Sequence, residues 1–187
     1  SGIEITGDID LFAHEVDAPV VAITGSNGKS TVTTLLTLMA SRAGFNAIAG
    51  GNIGLPVLDL LHDSKELYVL ELSSFQLETL HRLPMAAAVV LNVSADHMDR
   101  YVDINAYAMS KQVIYENATH AIINRDDPYV RRMLPHQQGS IGFTLGKPGN
   151  NDFGLCEKDG EQYLCTADKL LLNTTELKIR GQHNYAN

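Results

Sequence analysis

The chain has 187 residues, 44% of them apolar, with 14 Lys and Arg against 22 Asp and Glu for a net charge of −8. That length suits one large domain, or one with a small appendage, and can bury a full core. The acid excess speaks against nucleic acid as a partner, and the lack of any membrane-length apolar run or signal peptide speaks against a membrane.

Residues 1–18 hold Ile9, Leu11, Phe12 and Val16 behind Gly7-Asp8, and Asp8 is expected to N-cap a short amphipathic helix. Val20-Val21-Ala22-Ile23 reads as a buried parallel strand. It runs into Thr24-Gly25-Ser26-Asn27-Gly28-Lys29-Ser30-Thr31, and a helix is predicted over Val32 to Ala40. A strand, a glycine turn, Lys-Ser and a helix make a phosphate cradle. Glycines let the backbone approach the ligand. Free N–H groups at the helix start point at an anion. Lys29 is placed to reach terminal phosphates and Ser30 to ligate Mg²⁺. The full P-loop spacing is absent, because Ile23 stands where that pattern has its first glycine; the turn is the shorter T-G-x-x-G-K-S-T. Leu35, Leu36, Leu38 and Met39 are expected to form the helix's buried face, with Gly44 as its stop.

Phe45 to Ala49 reads as a strand feeding the Gly50–Pro56 loop, which is expected at the same sheet edge as the phosphate turn. Leu67 to Leu72 is a third strand with Glu71 near its end. A carboxylate in an apolar strand needs a reason, since burying one unpaired is costly. A metal ion supplies one. Ala86 to Val93 is a fourth strand, followed by Asp96, His97, Asp99 and Arg100 as a second chemical cluster. A helix is predicted over Asp103 to Asn117, with Lys111 on its apolar stripe, either snorkelling to solvent or facing the site. His120 to Asn124 is a fifth strand, and Asp126-Asp127-Pro128 caps a short helix ending near Leu134.

From Ser140 the segments shorten and alternate: Ser140–Phe143, Phe153–Glu157, Tyr163–Thr166 and Glu176–Ile179, with Asp159-Gly160 as a hairpin turn. Cys156 and Cys165 flank that hairpin and read as free thiols in a reducing cytoplasm. The expected fold is α/β: a mostly parallel sheet flanked by helices, P-loop NTPase-like, with a small antiparallel β appendage near the C-terminus.

Together, Thr24–Thr31, Gly50–Pro56, Glu71–Glu78 (ELSSFQLE), Asn92–Tyr101 (NVSADHMDRY) and Gly181–Asn187 (GQHNYAN) resemble the Mur ligase family of peptidoglycan synthesis. ELSSFQLE and DHMDRY are similar to its D-glutamate-adding branch. The resemblance implies a central ATP-binding domain over 19–180. Residues 1–18 would be an entry from a missing N-terminal domain, and 181–187 the start of a link to a missing C-terminal one. It implies a cytoplasmic, monomeric enzyme that uses ATP to join D-glutamate to UDP-N-acetylmuramoyl-L-alanine through an acyl phosphate. Within that picture Gly25, Ser26, Asn27, Gly28, Lys29, Ser30 and Thr31 hold phosphates, and Asn184 and Asn187 hold adenine. Asn52, Ser73 and His97 contact the muramoyl substrate. Ser30, Glu71, His97 and a carbamylated Lys111 hold two Mg²⁺ ions. Lys29, His97 and Lys111 carry the chemistry. The competing readings are another amide ligase of the family, L-alanine-adding or of the folate polyglutamate type, and a nucleotide-binding regulatory module.

Overall fold

The computed structural model describes residues 6–62, 64–96, 98–133, 140–179 and 181–187. Its elements run α1 (Asp8–Glu15), β1 (Val20–Thr24), α2 (Lys29–Arg42), β2 (Ala47–Gly51), β3 (Leu67–Glu71), α3 (Ser74–Glu78) and β4 (Met85–Val90). They continue with α4 (Ile104–Gln112), β5 (Ala118–Asn124), α5 (Pro128–Arg132), β6 (Ile141–Phe143), β7 (Asp152–Lys158), β8 (Glu161–Thr166), β9 (Leu170–Asn173) and α6 (Gln182–Ala186). Among the described residues nine strands form one sheet in the order β2-β3-β1-β4-β5-β6-β7-β8-β9. Every pairing from β2 through β7 is parallel, and only β7–β8 and β8–β9 are antiparallel. The expected fold class is therefore correct: the sheet is mostly parallel, and the antiparallel strands β8 and β9 are the small appendage, extending it at the C-terminal end.

The sheet divides two apolar layers. On one side Tyr68, Leu70 and Leu72 pack with Phe12 of α1, Leu77 of α3 and Tyr107 of α4. On the other, Ile23, Val69, Val89 and Leu91 pack under Val32 and Leu36 of α2. The pleat alternates these faces, so Glu71, two residues after Val69, falls on the α2 side. That parity brings the carboxylate to the start of α2.

Several local expectations change. Asp8 is not the N-cap of α1: Gly7 is, and Asp8 occupies the first turn. Leu38 and Met39 are 56% and 58% exposed. The packed stripe of α2 runs through Thr33, Leu36 and Ala40, at i, i+3 and i+7, which turns Leu38 and Met39 outward. The helix predicted over 103–117 is α4, capped by the Asp103 side chain, and ends in a 3₁₀ turn, Val113–Tyr115. The end expected near Leu134 lies outside the described residues. No strand forms over 176–179; Thr174–Glu176 is a 3₁₀ turn, and the edge strand is β9 instead. Three consecutive leucines there carry no period-2 signal. Asp159 and Gly160 do make the β7–β8 turn, both with positive φ as a two-residue hairpin requires.

The cysteines are not free. Cys156 and Cys165 form a disulfide with Cα atoms 6.1 Å apart. Their spacing in sequence alone did not show this, because the register decides it. Cys165 pairs with Gly154 and Cys156 with Tyr163, so the two thiols are diagonal neighbours on one face of the hairpin.

Candidate active site

The phosphate turn sits at the C-terminal edge of β1, central in the sheet. Its shape depends on two glycines. Gly28 has φ +85° and precedes α2, and a Cβ there would meet Asn187 Oδ1 at 2.6 Å. A Cβ on Gly25 would press on Leu91. The turn is tied to the segment after β4 by paired hydrogen bonds. Asn27 N–H donates to Asn92 Oδ1 at 2.8 Å, and Asn92 Nδ2 donates back to the Asn27 carbonyl at 2.9 Å. Ser26 Oγ donates to the Ser94 carbonyl and accepts from Ser94 N–H, at 3.1 and 3.0 Å. The cradle is thus fixed before any ligand arrives, which lowers the ordering cost of binding. Lys29 folds back, its Nζ donating to the Gly25 and Ser26 carbonyls at 3.0 and 3.2 Å.

Glu71 ends β3 and is 2% exposed. Its Oε2 accepts from Ser30 Oγ at 2.7 Å and its Oε1 from Asn52 Nδ2 at 2.9 Å. Asn52 N–H also donates to the Glu71 carbonyl at 2.8 Å. So the Gly50–Pro56 loop does lie at the phosphate edge. None of the ion pairs among the described residues involves Glu71. A buried carboxylate surrounded by neutral donors, beside a serine hydroxyl, is a hard-oxygen set that suits Mg²⁺. No cluster of three or more His, Cys, Asp or Glu gathers among the described residues.

Lys111 is 1% exposed, and of the two placements open to it, solvent or site, it takes the site. Its Nζ donates to the Gly25 carbonyl at 3.4 Å and lies 4.4 Å from the Tyr107 ring centroid. Burial, followed by the nearby Lys29 charge, lowers its pKa to about 8, against a smaller opposing pull from Asp96. Tyr107 was not expected here, since an aromatic on a helix stripe reads as core. Its phenol is pushed up by burial, against a hydrogen bond with Ser26.

Ser73 caps α3 in a reciprocal box with Gln76: Gln76 N–H donates to Ser73 Oγ at 3.2 Å, and Ser73 N–H donates to Gln76 Oε1 at 3.0 Å. It lies two residues beyond Glu71, at the same edge. His97 lies outside the described residues. Thr31 of α2 and Asn184 and Asn187 of the C-terminal segment line a cleft of about 310 Å³ beside Gly28. Its far wall, Asn124 and Phe143, was missed. Asn124 ends β5, so the strand-end rule that found Glu71 points to it as well.

The chain matches the family model described as the Mur ligase middle domain over residues 23–187. It is 53% identical to the UDP-N-acetylmuramoylalanine--D-glutamate ligase of Pseudomonas aeruginosa over 186 residues, 100% of this chain and 42% of that protein. The protein of the same name from Nitrosococcus oceani is 50% identical over 187 residues, 100% of this chain and 41% of that one. The chain thus spans well under half the length of these relatives. Among solved structures, MurF from Acinetobacter baumannii has a TM-score of 0.73 at 18% identity, covering 96% of this chain and 42% of that one. The UDP-N-acetylmuramate:L-alanyl-gamma-D-glutamyl-meso-diaminopimelate ligase from Neisseria meningitides has a TM-score of 0.71 at 18% identity, covering 97% and 62%. The two structures share the fold, and the family match runs from the strand before the phosphate turn to the last residue: this chain belongs to the Mur ligase family.

Proposed function

We propose that this chain is the ATP-binding middle domain of a longer ligase that joins D-glutamate to UDP-N-acetylmuramoyl-L-alanine. The observation that carries the reading is the junction of Ser30, Glu71 and Asn52 at the phosphate turn. A buried carboxylate and a serine hydroxyl there, tied to the Gly50–Pro56 loop at the start of α2, support a divalent cation beside bound phosphates. The names of the relatives at 53% and 50% identity favour D-glutamate over the other amino acids that the family adds.

In this reading the γ-phosphoryl group of ATP passes to the substrate carboxylate. The amine of D-glutamate then displaces phosphate, closing the amide. Gly25 to Thr31 hold the phosphates through backbone N–H groups, with the Lys29 ammonium on the β- and γ-oxygens. Ser30 and Glu71 hold one Mg²⁺; His97 and Lys111, as its carbamate, serve a second. Bound Mg²⁺ supplies charge neutralisation between two anionic reactants. Asn52 and Ser73 face the muramoyl substrate, and Asn184 and Asn187 take the adenine in the cleft beside Gly28. A regulatory module would leave the buried Lys111 without a task. The enzyme acts as a monomer in the cytoplasm, where ATP is supplied. Among the described residues no helix is long and apolar enough to cross a membrane. Reducing conditions would open the Cys156–Cys165 bridge without removing any residue named in the site.

The 187 residues should fold alone, because they own a complete sheet and both apolar layers. They should not ligate. The acceptor amine and the uridine nucleotide bind mainly on parts of the longer protein outside this chain. Alignment of two reactants can be worth roughly 7–11 kcal/mol, and that gain is lost here. The check is to supply the purified chain with Mg-ATP, UDP-N-acetylmuramoyl-L-alanine and D-glutamate, and to assay phosphate and the amide product. Folded protein with no product is expected. Ligation near the rate of a full-length relative would place the acceptor site inside this chain.

A further inference from the structure

We propose that Glu78, Arg100 and Tyr101 form a clasp that positions the loop after β4 against α3, and so seats Tyr107 and Lys111 beside the phosphate turn. The inference rests on the ligase reading above and deepens it by naming positioning residues for the same site. Glu78 is the last residue of α3, and both its carboxylate oxygens are engaged. Arg100 Nη2 donates to Oε2, and the Tyr101 hydroxyl donates to Oε1. The Arg100 guanidinium also stacks over the Phe75 ring of the same helix, 4.8 Å from its centroid. The loop is therefore fastened to α3 at three points.

Tyr101 carries the fastening inward. Its ring lies 5.1 Å from the Tyr107 ring, which is 2% exposed. Tyr107 in turn faces Lys111 Nζ, and Lys111 Nζ bonds the Gly25 carbonyl. One short helix thus carries Ser73 at its N-cap and the clasp at its last residue. The clasp joins the substrate-side helix to the phosphate turn across the intervening loop. The Arg100 hydrogen bond, ahead of that from Tyr101, holds the Glu78 carboxyl below the usual glutamate range and keeps it ionised. A lone surface ion pair contributes little to stability, and Arg100 is half exposed. What the cluster contributes is placement: a misplacement of about 1 Å far from the chemistry can cost about 100-fold in rate.

The test uses the full-length ligase and four variants: Arg100→Ala, Arg100→Lys, Tyr101→Ala and Tyr101→Phe. Steady-state kinetics with ATP, the nucleotide substrate and D-glutamate give kcat and KM, and scanning fluorimetry gives Tm. Arg100→Ala and Tyr101→Ala should lower kcat about tenfold, with KM for ATP changed less than about twofold. Arg100→Lys should recover part of the loss, since it keeps the ion pair and gives up the stack on Phe75. Tyr101→Phe should fall between, since it keeps the ring contact and loses the hydrogen bond. Amide hydrogen exchange reads the clasp without chemistry: exchange over residues 25–31 and 107–111 should rise in Arg100→Ala and return in part in Arg100→Lys. Parent-like exchange in both alanine variants overturns the clasp, whether or not the parent ligates. So does a kcat loss that tracks Tm and that lysine does not restore. A parent enzyme that makes no amide would instead sink the ligase reading, leaving the exchange result to decide the clasp.

Discussion

Lys29→Ala in the full-length ligase is expected to remove turnover, by roughly 1000-fold or more, while the protein stays folded. Removing a single preorganised donor from a developing anion costs about 100- to 1000-fold, and Lys29 brings a full charge as well. The fold should tolerate the change. Lys29 is only half buried, and its two hydrogen bonds go to carbonyls of the turn that it serves. Those bonds come from a charged donor that solvent partly reaches, and contribute about 1.5 kcal/mol each. The turn keeps its other ties, through Asn92 and Ser94. Circular dichroism and Tm check the fold, and ADP release checks turnover. Turnover near the parent rate would detach this turn from the chemistry.

Lys111→Ala is expected to be nearly inactive, down about 100-fold or more, and a short carboxylic acid such as acetate should restore part of the rate. A buried lysine beside Lys29 is a poor ammonium site, and burial with that neighbouring charge lowers its pKa to about 8. At pH 7 about one molecule in ten then holds the neutral amine, against fewer than about one in 1000 for an ordinary lysine. Only the neutral form adds CO₂, and the carbamate so formed turns a cation into two oxygen donors. The sign follows from the direction of the shift. Carbamylation should fall as pH drops below about 8, because the ammonium does not react. The unmodified chain should gain stability as pH rises between about 8 and 10.5, where the unfolded state holds the proton and the folded state does not. Carbamate carbon can be followed by NMR with ¹³C-labelled bicarbonate. Absence of the signal at pH 8.5, together with no rescue by any small acid, would leave Lys111 as a plain buried amine.

The phosphate turn and Glu71 were legible because each breaks a local rule. Glycines and Lys-Ser interrupt a strand–helix boundary, and a carboxylate closes an apolar strand. Such breaks carry their own physical reason, and the structure answers it: Glu71 meets Ser30 and Asn52. What stayed hidden depends on pairs far apart in sequence or on phase within an element. Leu38 and Met39 are as apolar as Leu36, and only the packing of α2 on Val69 and Val89 selects between them. The disulfide depends on the β7–β8 register. Glu78 and Arg100 are 22 positions apart, and nothing local announces that they meet. Tyr107 reads as core and is core; its second role is visible only through Lys111 and Ser26.

The most direct measurement follows oxygen. UDP-N-acetylmuramoyl-L-alanine carrying ¹⁸O in its carboxylate is turned over by the full-length ligase with Mg-ATP and D-glutamate, and the phosphate released is weighed by mass spectrometry. If the phosphate turn delivers the γ-phosphoryl group to that carboxylate, each phosphate leaves with one ¹⁸O for each amide made, and the Lys29→Ala protein releases almost none. Unlabelled phosphate alongside normal amide formation would show that the carboxylate is never phosphorylated, and the role assigned to Gly25–Thr31 would be wrong.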